Sequence, residues 1–511
     1  MWSTACFAAG MLRHTSFTAL LAPLTVLVAT LGGCAKDEPA APTADVATPP
    51  ATSSGTRLRA RVLEGGGARE IVGFFDTARN EECTFQEGND GRWYCLPSAA
   101  AAGFSGTFAD AACTIPLGVA SPCGAAPKYF VTVGSRQSPD GCAATRGVTS
   151  VRAALGPATT AYAQTGNGCT PQTGASVPEG AVQLGPEISL TEFVSAAETT
   201  TKNGDLGERI LLADDGAKQH LGYYVVKLSA DCTFQVMADG TTRCIPLTSG
   251  SQLFYSDAEC TAPAATYSFG SGRCVSAGGR LVRESTPDSC GAARAVYSVS
   301  DDESPDAVGG TYYARNGSSA APTCTALPQS SRGTSNLRAL TDVTSALPKA
   351  ARIGGGSGRL VPAFVATSST GALVRGWHDT VKNVDCTFGK ASDGKVRCLP
   401  TAPRGILFFT DGACASPSRV VTYAEAGGCT DTSSGLVRVA DRTCGAQGGA
   451  AAFDADAPTR IYKLTGAPRE VPGASYASEP GKCARVEAVR AATDAIEEDP
   501  AGFVEGNVVT E

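Results

Sequence analysis

The residues best placed to do proton chemistry are Trp377-His378-Asp379, where an aromatic, a base and a carboxylate follow Gly376. Adjacent residues on a strand point to opposite faces, so His378 and its neighbours cannot all line one pocket. The same place holds Phe74-Phe75-Asp76 and Tyr223-Tyr224-Val225 earlier in the chain, so the histidine is not a shared feature. What recurs is an aromatic behind a glycine, twice with an aspartate. Phe74, Asp76, Tyr223, Trp377 and Asp379 are therefore the candidate binding positions. Core or rim aromatics with a turn-capping Asp are the competing reading.

Sulfur gives the stronger pattern. Of 20 cysteines, Cys6 and Cys34 lie near the N-terminus and the others fall into three sets of six. The sets are Cys83, Cys95, Cys113, Cys123, Cys142, Cys169; Cys232, Cys244, Cys260, Cys274, Cys290, Cys324; and Cys386, Cys398, Cys414, Cys429, Cys444, Cys483. Zinc sites want ligands two to four positions apart, and the tightest spacing here is ten. Even sets without close pairs point to disulfides and an oxidising compartment, with fifteen connectivities open in each set. Three bridges at about 2–4 kcal/mol each match the net stability of a typical domain.

The cysteines sit in a repeated cassette: CTFQEGNDGRWYCLP from Cys83, CTFQVMADGTTRCIP from Cys232 and CTFGKASDGKVRCLP from Cys386. Asp90-Gly91, Asp239-Gly240 and Asp393-Gly394 supply the positive φ of a hairpin loop, so each cassette reads as a hairpin with a cysteine on each arm. Gly73, Gly222 and Gly376 stand ten residues before the first cysteine of each set, and Asp110, Asp257 and Asp411 three before the third. Those aspartates read as turn-fixing carboxylates. Each unit opens on Arg and an aliphatic residue, at Arg57-Leu58, Arg209-Ile210 and Arg359-Leu360.

The elements that must position these residues are strands. Apolar stretches such as EIVGFFDT, LGYYVVKL, KYFVTVG and GILFFTD are short, aromatic or β-branched, and bounded by turn residues. A period of about 150 residues is too long for a solenoid repeat, so each unit reads as a domain. The expected fold is all-β or mostly β: three tandem disulfide-rich repeat domains at 57–200, 209–350 and 359–511, each a small sandwich or open barrel. "GPEISLTEFVSA" and "ATDAIEEDPAGFVEG" are corresponding closing segments of the first and third units.

Residues 1–33 form a leader, with an apolar run from Phe17 to Leu31 too short to span a bilayer; translation starting at Met11 gives the same signal. Leu31-Gly32-Gly33-Cys34 resembles the lipobox of bacterial lipoproteins, which implies lipidation of the Cys34 thiol and a membrane anchor. Residues 34–56, rich in Ala, Pro and Thr, read as a disordered tether.

A net charge of −7 and no basic groove argue against nucleic acid as a partner. The acidic runs at 300–306, 453–458 and 497–499 lack the spacing of a calcium loop and read as solvated, so no metal is assigned. No GxSxG, HExxH, phosphate loop or dinucleotide fingerprint occurs, and neither enzyme activity nor a cofactor is expected. The triplicated C-T-F, Asp-Gly, C-[LI]-P cassette, with [FY]-x-D-x-x-C after it, resembles uncharacterised cysteine-rich lipoproteins of large-genome Gram-negative soil bacteria. That resemblance implies no known activity. The expectation is a bacterial cell-envelope protein, lipid-anchored at the outer membrane or cell surface, that binds envelope polysaccharide or protein through three similar domains. A structural envelope or coat protein and an extracytoplasmic hydrolase are the alternatives.

Overall fold

Each cassette folds as the hairpin its Asp-Gly implies. Glu81–Glu87 runs antiparallel to Trp93–Pro97, Ala230–Val236 to Thr242–Pro246, and Val384–Lys390 to Val396–Pro400. Gly91, Gly240 and Gly394 have φ of 86°, 80° and 80°, which costs a glycine little. The carboxylates of Asp90, Asp239 and Asp393 accept the backbone N–H two residues on, at 3.0, 2.8 and 3.1 Å. First and second cysteines bond across the hairpin with Cα atoms 5.3 Å apart in all three copies. Third pairs with sixth: Cys113–Cys169, Cys260–Cys324 and Cys414–Cys483.

This computed structural model describes residues 52–511 except 99, 103, 121–126, 138–143, 167, 173–176, 178–179, 247–252, 268–280, 286–291, 301–310, 317–322, 328–336, 352–357, 364, 367–375, 403–404, 410, 415–416, 423–434, 441–457, 468 and 480–481. Cys34, the leader, most of the tether, the fourth and fifth cysteines of each set and most of the first two acidic runs lie outside the described residues. Among the described residues the fold is all-β, with only three-residue 3-10 turns besides strands. No helix among them is long and apolar enough to cross a membrane.

Each cysteine hairpin lies between two packing partners. Its outer side meets a second sheet built from the rest of its unit, of eight, seven and six strands respectively. Tyr94 and Leu96 pack there with Val131, Val148, Val151 and Phe193. Ile245 and Met237 pack with Leu281, Ala293, Val296 and Leu347, and Leu399 and Ala391 with Leu436, Ile461 and Phe503. After its second sheet the chain returns to the hairpin: the backbone carbonyls of Val194, Pro348 and Val504 accept the N–H groups of Cys95, Cys244 and Cys398, each at 2.9 Å. That contact gives the closing segments of the first and third units their correspondence.

The units are not separate beads. One 12-stranded sheet runs from Val365–Ala366 through the first strands of the second and first units to Asn507–Thr510, the last strand of the chain. The boundary at 200–209 falls in a β-hairpin between Ser195–Asn203 and Leu206–Ala213. Asn507–Thr510 pairs with Leu58–Gly65, from Arg61↔Thr510 to Glu64↔Asn507, and Glu505 bridges to Arg397 of the third cassette. The last unit thereby joins the first, and the three form a closed ring.

The cores interlock the same way. Around Cys83–Cys95, the first unit's Leu58, Phe74 and Phe85 pack with Leu211, Ala213 and Ala217 from the opening hairpin of the second unit. Around Cys386–Cys398, the third unit's Leu360 and Trp377 pack with Ala68 from the opening hairpin of the first. The tether is drawn in as well. Ser53 exchanges backbone hydrogen bonds with Lys218 at 3.1 and 3.0 Å, and Ser54 Oγ donates to the Glu511 carbonyl at 3.1 Å. Residues 52–56 are thus pinned to the ring, a correction to the tether as drawn to residue 56.

A second correction concerns the openings of the units. Arg61 and Arg209 both lie opposite the recurring glycine, Gly73 and Gly222, with a bulge after each. Arg209 therefore corresponds to Arg61, not to Arg57 and Arg359. In register with those two the second unit has Asp205, ion-paired with Lys227 at 3.0 Å.

Candidate functional site

Four of the five candidate binding residues face inward. Phe74 and Asp76 are each 1% exposed, Trp377 6% and Asp379 1%. Phe74 packs edge-on against Phe85, ring centres 5.5 Å apart, over its own disulfide hairpin. Tyr223 is half-buried, between His220 and Phe234 at 4.6 and 5.6 Å. These side chains build the cassette core, and the four buried ones are not open to a surface ligand. The strand period explains it: the residue paired with the first cysteine shares that cysteine's buried face.

The aspartates clamp the turn beyond that strand. Arg57 donates to both oxygens of Asp76, at 2.8 and 2.6 Å, and to the Glu192 carbonyl at 3.0 Å. Arg359 repeats this with Asp379, at 3.0 and 2.7 Å, and with the Gly502 carbonyl at 2.6 Å. Asp379 also accepts the N–H groups of Val381 and Lys382. Burial alone would raise its pKa, but Arg359 and these N–H groups outweigh that and hold it below the ordinary carboxylate value. Arg79 stacks over Phe193, 4.5 Å from the ring centre, and Lys382 over Phe503 at 5.0 Å. In the second unit buried Val225 stands in place of the aspartate, Leu228 packs against the cluster that holds Leu347, and the Asp205–Lys227 ion pair takes the arginine's place.

Asp110 and Asp257 likewise fix their turns. Asp110 accepts from the N–H groups of Thr114 and Ile115, both at 2.8 Å, and Asp257 from those of Thr261 and Ala262 at 2.9 and 3.1 Å. Asp411 accepts the Ala413 N–H at 3.0 Å. The third cysteines follow at φ of 54°, 53° and 51°.

What the three copies share on the other face lies one residue along. Phe75 pairs across the strands with Glu82, Tyr224 with Asp231, and His378 with Asp385. All three rings are half-buried, and the carboxylate side chains are 56%, 38% and 30% exposed. Two residues on, and hence on the same face, stand Thr84, Thr233 and Thr387. A Cβ at Gly73 would sit 3.7 Å from the Thr84 methyl, and one at Gly376 3.9 Å from that of Thr387. The glycines leave those threonines uncovered on that side.

A cation or a histidine attends each carboxylate. Arg61 pairs with Glu82 at 2.7 Å, Arg209 with both Asp231 and Glu198, and His378 Nδ1 is hydrogen-bonded to Asp385 at 2.7 Å. Burial works to lower the Arg209 pKa, but its two carboxylates raise it above the ordinary value. Asp231 Oδ1 is itself buried, and the pairing with Arg209 runs through Oδ2. Each patch thus offers a ring face, carboxylate acceptors, guanidinium or imidazole N–H, and a hydroxyl. Arg61 balances Glu82 in the first patch, whereas carboxylates outnumber guanidinium groups in the second, where Arg209 meets both Asp231 and Glu198, and in the third, where Asp385 faces a histidine. Such a surface suits uncharged polyhydroxylated molecules better than phosphates or other polyanions.

In each neighbouring pair the sequence reading named the ring on the cysteine's face, and Phe75, Tyr224 and His378 lie on the other. A usable signal was present in the acid immediately before each cassette, as Glu82-Cys83-Thr84, Asp231-Cys232-Thr233 and Asp385-Cys386-Thr387.

Residues 27–465 match the model of a family of unknown function, DUF7481. No curated protein matches the chain, and no solved structure does. With most of its length matched, the chain belongs to that family.

Proposed function

We propose that this member of a family of unknown function is a non-catalytic binding protein of the bacterial cell envelope, lipid-anchored through Cys34, and that it holds neutral glycan polymers on three equivalent patches. The observation that carries the reading is the recurrence of one aromatic, one carboxylate and one threonine at matching positions of all three units, outside the cassette core. A polymer that meets one patch raises the effective concentration at the next, so modest single sites sum to firm retention. The six disulfides among the described residues suit a chain that folds and works outside the cytoplasm.

Co-sedimentation of the purified chain with peptidoglycan sacculi and with neutral envelope polysaccharide tests this. Wild type is expected to pellet with one of them and to be displaced by its soluble fragments. If it pellets with neither, the reading fails.

A further inference from the structure

We propose that the joint closing the ring is also an interface between chains, in which the opening hairpin of one copy, Leu58–Asp76, seats in the third cassette of a second copy. The joint repeats one found inside the chain. Between the first and second units, the exit strand Ser195–Asn203 pairs with Leu206–Ala213, and the Asp215 carboxylate, at the tip of the hairpin that Leu206–Ala213 forms with Lys218–Val225, accepts the Leu58 N–H at 2.6 Å. Between the third and first, the exit strand Asn507–Thr510 pairs with Leu58–Gly65, and the Gly66 carbonyl at the hairpin tip accepts the Leu360 N–H at 2.9 Å. The two joints differ in covalent linkage. A two-residue turn ties the first, whereas the second brings together Arg61 and Thr510 from opposite ends of the chain, held there by non-covalent contacts.

Donor hairpin and acceptor cassette are therefore complementary ends of the same chain, and a second copy offers the acceptor the same contacts. A contact of this heterologous kind builds larger rings or open head-to-tail chains. Intramolecular closure wins at low concentration, because the chain's own hairpin has a high effective concentration; crowding chains on an anchoring surface shifts the balance.

The joint also carries a key. Trp377 Nε1 donates to Glu70 Oε2 at 3.4 Å, and Arg69 pairs with Glu511. In the first–second joint these places hold Phe74 and Gln219, which offer no such bond. The Trp377–Glu70 bond favours the first unit's hairpin on the third cassette, a head-to-tail contact. At Gly65 a Cβ would lie 2.3 Å from the Glu505 carbonyl oxygen, so any side chain there blocks seating.

Two full-length single variants test the proposal, Glu64→Cys and Asn507→Cys, at exposed positions opposite each other across the joint. They are mixed, held at increasing concentration, oxidised mildly and run on a non-reducing gel. Expected is a heterodimer at twice the chain mass that grows with concentration and is lost when Gly65→Ala is added to the Glu64→Cys chain. A double variant carrying both cysteines on one chain should cross-link within the monomer at low concentration. The proposal is overturned if the double variant closes on itself while the mixture gives no heterodimer at any concentration. It is overturned equally if neither cross-link forms.

Discussion

Replacing Asp379 by alanine should be among the most damaging single changes in the third unit. Its carboxylate is 1% exposed and holds Arg359 through Nε and Nη2 together with the N–H groups of Val381 and Lys382. Removing one partner of a buried pair costs about 3–5 kcal/mol. The Arg359 side chain is 31% exposed and regains some water, which lowers that figure. Each orphaned turn N–H adds about 1 kcal/mol. We expect a loss of about 3–4 kcal/mol at neutral pH, which at about 2 kcal/mol per molar moves a urea midpoint by about 1.5–2 M. Trp377 lies in the same short strand and reports the cassette by fluorescence once Trp2 and Trp93 are replaced by phenylalanine.

Because the folded pKa of Asp379 is depressed, the clamp's contribution is complete above the unfolded carboxylate value of about 4 and disappears as pH falls through the folded value. The gap between wild type and variant should close below that range. A variant joining Arg359→Ala to Asp379→Ala should lose less than the sum of the singles, by about 0.5–3 kcal/mol. A shift within about 0.5 kcal/mol for Asp379→Ala, or strict additivity in the cycle, would refute the clamp.

Other outcomes follow from the same contacts. Replacing Cys386 and Cys398 together by alanine should cost about 2–4 kcal/mol by urea titration, and full reduction should unfold the ring in native buffer. His220 is half-buried against Tyr223, and desolvation, only partly opposed by a hydrogen bond with the Gly222 backbone, holds its pKa down at about 4. The unfolded chain takes up that proton near pH 6.5, so acidification between about 6.5 and 4 favours unfolding. His220→Ile, which copies Ile71 of the first unit, should flatten that stretch of the stability profile; an unchanged profile would show that His220 does not titrate this way. Glu70→Leu removes the acceptor of the Trp377 N–H and should shift Trp377 emission while leaving Trp93 unchanged; equal shifts at both would argue against a local contact.

The hairpins were legible because cysteine spacing and Asp-Gly turns are local signals, and a period near 150 lets each copy check the others. Alternation along Gly73-Phe74-Phe75 says that two faces exist, but only the pairing of Phe74 with Cys83 says which one is buried. Arg209 misled because the arginine motif is short, and the bulge after Arg61 and Arg209 shifts the register of the opening hairpin. Ring closure was out of reach. It joins Leu58–Gly65 to Asn507–Thr510 through backbone ladders that most sequences can make, and its glycines, Gly65 to Gly67, look like an ordinary loop.

The central claim, that three equivalent patches hold one polymer, is tested most directly by binding isotherms for wild type and for Phe75→Ala, Tyr224→Ala and His378→Ala singly, in pairs and all together. The account predicts a stepwise fall, about tenfold or more at each removal, with binding abolished in the triple variant while its urea midpoint stays near that of wild type. A triple variant that binds like wild type would contradict it.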